Sequence, residues 1–211
     1  KFDAYIVGSD QVWRAIYVPD IKNYFLDFTE GWNVRRIAYA ASFGTDKPEY
    51  SEEQIQQCKK LVGLFDGVSL REESGLSVVS TFGWKANVEG VVLDPTMLLD
   101  AGDYQKALPL KPFMSKGKVF YYVLDRNEQI NALLKEVSQV LDKELYGISD
   151  IQKGNEPLIS IVEWLTDIRD AEFVITDSFH GMVFSIIFHK PFLVAVNKDR
   201  GADRFTNLLS M

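Results

Sequence analysis

FVITDSFHGMVFSIIF, from Phe173 to Phe188, is the stretch whose reading decides the fold. Its apolar start, Phe173 to Ile175, reads as the end of a buried strand. Thr176-Asp177-Ser178 interrupts it with side chains that accept hydrogen bonds from the free amides of a helix's first turn. Met182 to Phe188 is apolar again and long enough for a buried helix. Strand, tight polar turn and helix together put His180 at the carboxyl edge of a sheet, where open α/β sheets bind ligands. His180 is one of only two histidines in the chain. The alternative is that Asp177 or Ser178 merely caps the helix while His180 packs against a loop, and the pattern leaves both readings open.

The same alternation extends in both directions from this stretch. Upstream, Val119 to Leu124 is a strand, and Ile130, Leu133, Leu134, Val137 and Leu141 recur at helical spacing. A strand at Glu144 to Ile148 follows, then a helical stripe of Leu158, Ile161, Val162, Leu165 and Ile168. Downstream, Pro191 to Val196 is a last strand, ahead of Asn197-Lys198-Asp199-Arg200-Gly201. The first half repeats the scheme. Phe2 to Val7 is a strand that ends at Gly8-Ser9-Asp10, and Arg36 to Ala41 is a strand that ends at Ser42-Phe43-Gly44. Ser51-Glu52-Glu53-Gln54 opens a helix with a capping box. Gly67 to Leu70 is a strand with Arg71 at its end, Glu72-Glu73-Ser74 starts a helix with acids in its positive first turn, and Val88 to Leu93 is a strand closed by Asp94-Pro95-Thr96.

Strands alternating with helices imply layered α/β domains with parallel sheets. Between Leu108 and Lys118 the sequence turns loop-rich, with Pro109, Pro112, Ser115 and Gly117. A domain junction is expected there, giving residues 1–110 and 111–211. The chain enters a strand almost at once and stops within an amphipathic pattern, which reads as a piece of a longer polypeptide.

Twenty-three basic and 30 acidic side chains leave a net charge of −7. So acidic a chain is a poor general binder of nucleic acid or of an anionic membrane. It remains compatible with a small anion held by a few local arginines. No apolar run approaches the ~18 residues a membrane helix needs. The single cysteine rules out an internal disulfide and a Cys-rich metal cluster, and Cys58 falls with Ile55, Leu61, Val62 and Phe65 on one apolar face. That composition favours the cytoplasm, including the inner membrane face as a peripheral site.

Three groups would meet if the two sheets faced each other across a cleft: Arg71, His180, and Lys198 with Arg200 and Arg204. Arginine presents a planar fork that matches carboxylate or phosphate, the first amides at His180-Gly181 suit an anion, and histidine exchanges protons near neutral pH. This suits proton-coupled group transfer on an anionic substrate. Each group also has a plainer reading: Arg71 pairs with Glu72 or another acid, Lys198 to Arg200 is a solvated loop, His189 caps a helix end, and Asp94-Pro95-Thr96 is a turn. Walker A, Gly-x-Gly-x-x-Gly, Gly-x-Ser-x-Gly and His-Glu-x-x-His patterns are absent.

GSDQVW (Gly8 to Trp13), SFG (Ser42 to Gly44), SLREESG (Ser69 to Gly75), DPT (Asp94 to Thr96) and TDSFHGMVFSIIFHKPF (Thr176 to Phe192) occur in that order. Together they resemble the polysaccharide pyruvyl transferase family over nearly the whole chain. The resemblance implies two Rossmann-like domains similar to the B-type glycosyltransferase fold. It also implies transfer of pyruvate from phosphoenolpyruvate to hydroxyls of a sugar or lipid-linked oligosaccharide, on a cell-surface polysaccharide or its precursor, with no cofactor and no obligatory metal. By resemblance His180 is the acid/base and Arg71 an anion clamp, with Arg204 matched more loosely. Ser178, Gly181, Arg200 and the first turn's Ser9 and Asp10 complete the expected substrate contacts. The pattern departs at Ser178, where the family carries an arginine two residues before the histidine. The alternatives are a glycosyl- or other group transferase on the same scaffold, and a non-catalytic binding protein of the polysaccharide pathway.

Overall fold

A computed structural model describes residues 2–47, 49–108, 114–149, 159–196 and 203–210. The chain forms two compact units, Lys1–Leu98 with Lys198–Met211, and Leu99–Asn197. The junction expected between 110 and 111 falls outside the described residues.

The first unit holds a parallel sheet of β1 (Ala4–Val7), β2 (Arg35–Ala41), β3 (Gly67–Leu70) and β4 (Val88–Val91), in that spatial order. Between its strands run α1 (Glu52–Val62) and α2 (Glu73–Thr81). Helix α1 starts where the sequence places it, because Ser51 and Gln54 form the reciprocal capping box. Its apolar face buries Cys58, Leu61 and Val62, and burial pushes the Cys58 thiol up to about 12. Trp13 is fully buried and stacks on Phe25 with ring centroids 4.7 Å apart, and its indole N–H donates to the Tyr24 carbonyl. The aromatic residue of the first motif is therefore core, and its neighbours are held at the sheet edge by that packing. A groove of about 590 Å³ over Ile37, Gly67, Ser69 and Glu89 is lined by none of the candidate site residues.

The second unit holds α3 (Ala101–Ala107) and a parallel sheet ordered β6 (Leu145–Ser149), β5 (Val119–Val123), β7 (Phe173–Thr176), β8 (Phe192–Val194). Its other helices are α4 (Glu128–Leu141), α5 (Ile161–Asp170) and α6 (Phe179–Ile187). Asn127 caps α4, and a Ser160–Glu163 capping box opens α5. Ile161 and Val162, which the sequence places in an apolar stripe, are exposed; α5 instead buries Leu165, Thr166, Asp167 and Ile168. The stripe is displaced because Thr166 satisfies its hydroxyl on the Val162 carbonyl, and Asp167 bonds Ser115, so both polar residues enter the core. Leu158 lies outside the described residues. The last helix, α7 (Asp203–Ser210), belongs to the first unit, where the Asn207 amide donates to the Arg71 carbonyl at 3.3 Å.

Candidate functional site

All four strands of the first sheet deliver polar residues at their carboxyl ends, and these meet on Arg71. The Arg71 side chain is 3% exposed. Its Nη1 donates to Asp94 Oδ2 at 2.9 Å and its Nη2 to Asp10 Oδ1 at 3.2 Å, while Nε lies 3.7 Å from Glu72 Oε2. Asp94, read from sequence as a turn residue, is the hub of this network. Its Oδ1 accepts from the Thr96 amide and hydroxyl, which fixes the start of the turn after β4. Its Oδ2 also lies 2.9 Å from the Ser9 hydroxyl, itself 2.8 Å from the Ala40 carbonyl. From sequence Glu72 serves the first turn of α2; in the structure its carboxylate is engaged by the Ser42 hydroxyl, which holds it back toward β2.

Backbone geometry explains the residue types in these turns. Gly8 has φ +119°, and a Cβ there would lie 2.1 Å from the Tyr39 carbonyl oxygen, so only glycine lets β1 pass so close to β2. Asp10 has φ 60°, a left-handed conformation that Asp tolerates better than most residues. Its carbonyl accepts from both the Val12 and Ser42 amides, which joins the first motif to the second. Ala40 also has positive φ, where the β2–β3 register shifts; its amide donates to the Ser69 hydroxyl, giving that serine of the third motif a structural role.

In the second unit, Asp177 clamps the end of β7 to the end of β5 by accepting from the Leu124 amide at 2.6 Å and the Asp125 amide at 2.8 Å. Burial raises the Asp177 carboxyl above its usual range, and those two amides oppose the shift. Ser178 is the N-cap of α6 and accepts from the Gly181 amide at 3.4 Å. Gly181 is required by space, since a Cβ would sit 2.3 Å from Thr176 Oγ1, which already donates to the Tyr122 carbonyl and accepts from the Ser178 amide. His180 stands half-buried in the first turn of α6, edge-on to the Phe179 ring at 5.4 Å.

Ser9, Asp10 and Arg71 are thus brought together in the first unit, and Ser178, His180 and Gly181 in the second. Lys198 and Arg200 lie outside the described residues, and Arg204 sits in the first turn of α7. Sequence reasoning misses Asp94 and Ser42 as network members, whereas Glu72 is the acid its plainer reading of Arg71 names. The available signal is positional: each lies within three residues of a strand's carboxyl end, as do Ser9, Asp10, Arg71 and Ser178. Among the described residues no set of His, Cys, Asp and Glu is arranged to hold a metal ion, and no helix is long and apolar enough to cross a membrane.

Every motif quoted from the sequence therefore lies at the carboxyl end of a parallel strand. Comparison with curated proteins returns no match. Residues 1–199 match the model of the polysaccharide pyruvyl transferase family, and the chain belongs to that family of transferases.

Proposed function

We propose that the chain transfers pyruvate from phosphoenolpyruvate to two hydroxyls of one sugar residue, forming a cyclic ketal on a surface polysaccharide or its lipid-linked precursor. The observation that carries the reading is the family match over residues 1–199, joined to a half-buried histidine at the start of α6. An acid protonates the enol methylene of the donor, leaving an oxocarbenium-like centre at the adjacent carbon. The first hydroxyl adds there and loses its proton; phosphate then departs with its bridging oxygen, and the second hydroxyl closes the ketal. One hydroxyl proton replaces the one the acid gave up, and the other leaves on phosphate.

His180 is the proposed acid, because imidazole exchanges protons near neutral pH. Arg200, Arg204 and the amides at His180-Gly181 are the proposed anion contacts, while Arg71, 3% exposed and bonded to Asp94 and Asp10, is a positioning residue of the first unit. Ser178 takes the place of the family's arginine and is occupied as the cap of α6, so donor grip falls more heavily on the remaining cations. The cytoplasm, or its membrane face, is the proposed location. The test is incubation with phosphoenolpyruvate labelled with ¹³C at its enol carbons and a panel of sugars. Phosphate release together with a new ketal carbon signal is expected. Absence of both across acceptors would remove the pyruvyl transfer reading and favour another donor on the same scaffold.

A further inference from the structure

The connections of the second sheet part between β5 and β7, which are adjacent strands. From β5 the chain passes through α4 to β6 on one side; from β7 it passes through α6 to β8 on the other. Tyr121 of β5 packs with Ile130 and Val137 of α4 around Leu134. Its neighbour Tyr122 meets Trp164 of α5, which in turn meets Phe184 of α6. The helices that follow β5 and β7 therefore lie on opposite faces of the sheet. Between the carboxyl ends of two such strands is a crevice of the kind in which open α/β sheets take ligands. His180 is on its β7 side, in the first turn of α6. The Asp177 carboxylate ties the two turns that flank it, because it accepts from the Leu124 and Asp125 amides.

Arg126 is on the β5 side, one residue beyond that clamp. Among the arginines whose side chains the structure describes, Arg14, Arg35, Arg71 and Arg169 each pair with a carboxylate. Arg36 is satisfied by Thr29 and by the Val34 and Trp32 carbonyls. Arg126 is the exception: no carboxylate among the described residues pairs with it, its neighbours Asp125 and Glu128 included, and its Nη2 makes no hydrogen bond there. It is nevertheless held in place. Nε donates to Asn131 Oδ1 at 2.7 Å, and the guanidinium lies over the Tyr121 ring, 5.2 Å from its centroid, with Nη1 3.4 Å from the phenol oxygen. Tyr121 is itself seated on Gly147 of β6, where a Cβ would lie 2.5 Å from its Cγ. A guanidinium fixed at its stem and stacked on a ring loses little freedom when its terminal nitrogens meet two oxygens of a carboxylate or phosphate.

Resting on the pyruvyl transfer reading, we infer that Arg126 is a donor-binding residue: it grips an anionic group of phosphoenolpyruvate, carboxylate or phosphate, in the crevice between the ends of β5 and β7. The donor brings both a carboxylate and a phosphate to a chain of net charge −7, and the residue that opens α6 beside the crevice, Ser178, is a neutral cap. A cation on the far side of the crevice from His180 supplies the missing charge. It holds the donor by an anionic end while the enol methylene faces the acid.

Binding of phosphoenolpyruvate, inorganic phosphate and pyruvate to the intact chain is measured by calorimetry at fixed salt, for the wild type, Arg126→Gln, Arg126→Lys and Lys135→Gln. Lys135, exposed on α4, controls for the mere loss of a positive charge. Arg126→Gln should weaken phosphoenolpyruvate binding about tenfold or more, and Arg126→Lys should recover part of the loss. Lys135→Gln should stay within about twofold of wild type, because exposed charges outside the crevice are screened. The melting transition should be preserved throughout, since both side chains are on the surface. In a transfer assay the phosphoenolpyruvate KM should rise far more than kcat falls, with the acceptor KM unchanged. Loss of phosphate binding with the arginine puts the donor's phosphate on it; loss of pyruvate binding puts the carboxylate there. Unchanged phosphoenolpyruvate affinity in Arg126→Gln, or equal weakening by Lys135→Gln, overturns the assignment and leaves the pyruvyl transfer reading standing. Arg126-dependent binding of phosphate or pyruvate by a wild type that does not bind phosphoenolpyruvate sinks the pyruvyl transfer reading and keeps Arg126 as the anion contact of the crevice. Binding of none of these anions overturns both.

Discussion

Replacing Asp167 by asparagine should change how the stability of the second unit depends on pH. Asp167 is fully buried in α5; its Oδ1 accepts from the Ser115 amide at 3.2 Å, and Oδ2 has no partner among the described residues. Burial pushes its carboxyl from 3.8 up to about 6, against the pull of the Ser115 bonds. An acid whose pKa is higher in the folded state costs nothing while both states are protonated, below about 3.8. As pH rises from there to about 6 the unfolded chain ionises first, so stability falls; above about 6 the loss is constant. A shift of about two units is worth roughly 3 kcal/mol at pH 7, of which about 1.3 kcal/mol develops between pH 5 and 7. The Asp167→Asn protein has no such titration, although its amide N–H₂, placed where Oδ2 stood, is a buried donor costing about 1–3 kcal/mol. That second cost does not vary with pH. Urea unfolding of both proteins at half-unit steps from pH 5 to 7.5, followed by tryptophan fluorescence, therefore isolates the carboxyl. The difference in unfolding free energy should move by about 1.3 kcal/mol in favour of the variant on going from pH 5 to 7. Parallel profiles would refute the reasoning and mean that Asp167 ionises as an ordinary carboxylate.

His180→Gln should lower ketal formation by about a hundredfold or more with an unchanged melting temperature, because the residue lies half-buried in the first turn of α6 rather than in the core; full activity would return it to a packing role. Gly181→Ala should destabilise the second unit by about 1–3 kcal/mol, because its methyl group would overlap Thr176 Oγ1, and a urea midpoint within error of wild type would count against that contact. Arg71→Met should cost about 3–5 kcal/mol in the first unit by taking the guanidinium away from the buried Asp94 carboxylate, read by thermal unfolding, and Arg71→Met with Asp94→Asn together should recover part of that loss.

The starts of α1 and α6 were legible in the sequence because capping is a local interaction: Ser51 with Gln54 and Ser178 with Gly181 each satisfy a first-turn amide three residues away. Asn127 and Ser160 cap α4 and α5 in the same way, though the sequence reading did not single them out. The alternation of strand and helix and the carboxyl-edge location of each motif followed from the same short-range patterns, as did the family likeness. Partner choice was decided by tertiary structure. Arg71 lies 23 residues from Asp94 and 61 from Asp10, and nothing near Arg71 distinguishes those acids from its immediate neighbours Glu72 and Glu73. They become partners because parallel pairing in the order β1-β2-β3-β4 brings four strand ends into one row. The sheet order β6-β5-β7-β8 and the return of α7 to the first unit are of the same kind. An amphipathic helix needs an apolar surface to cover, and only the assembled chain settles which surface that is.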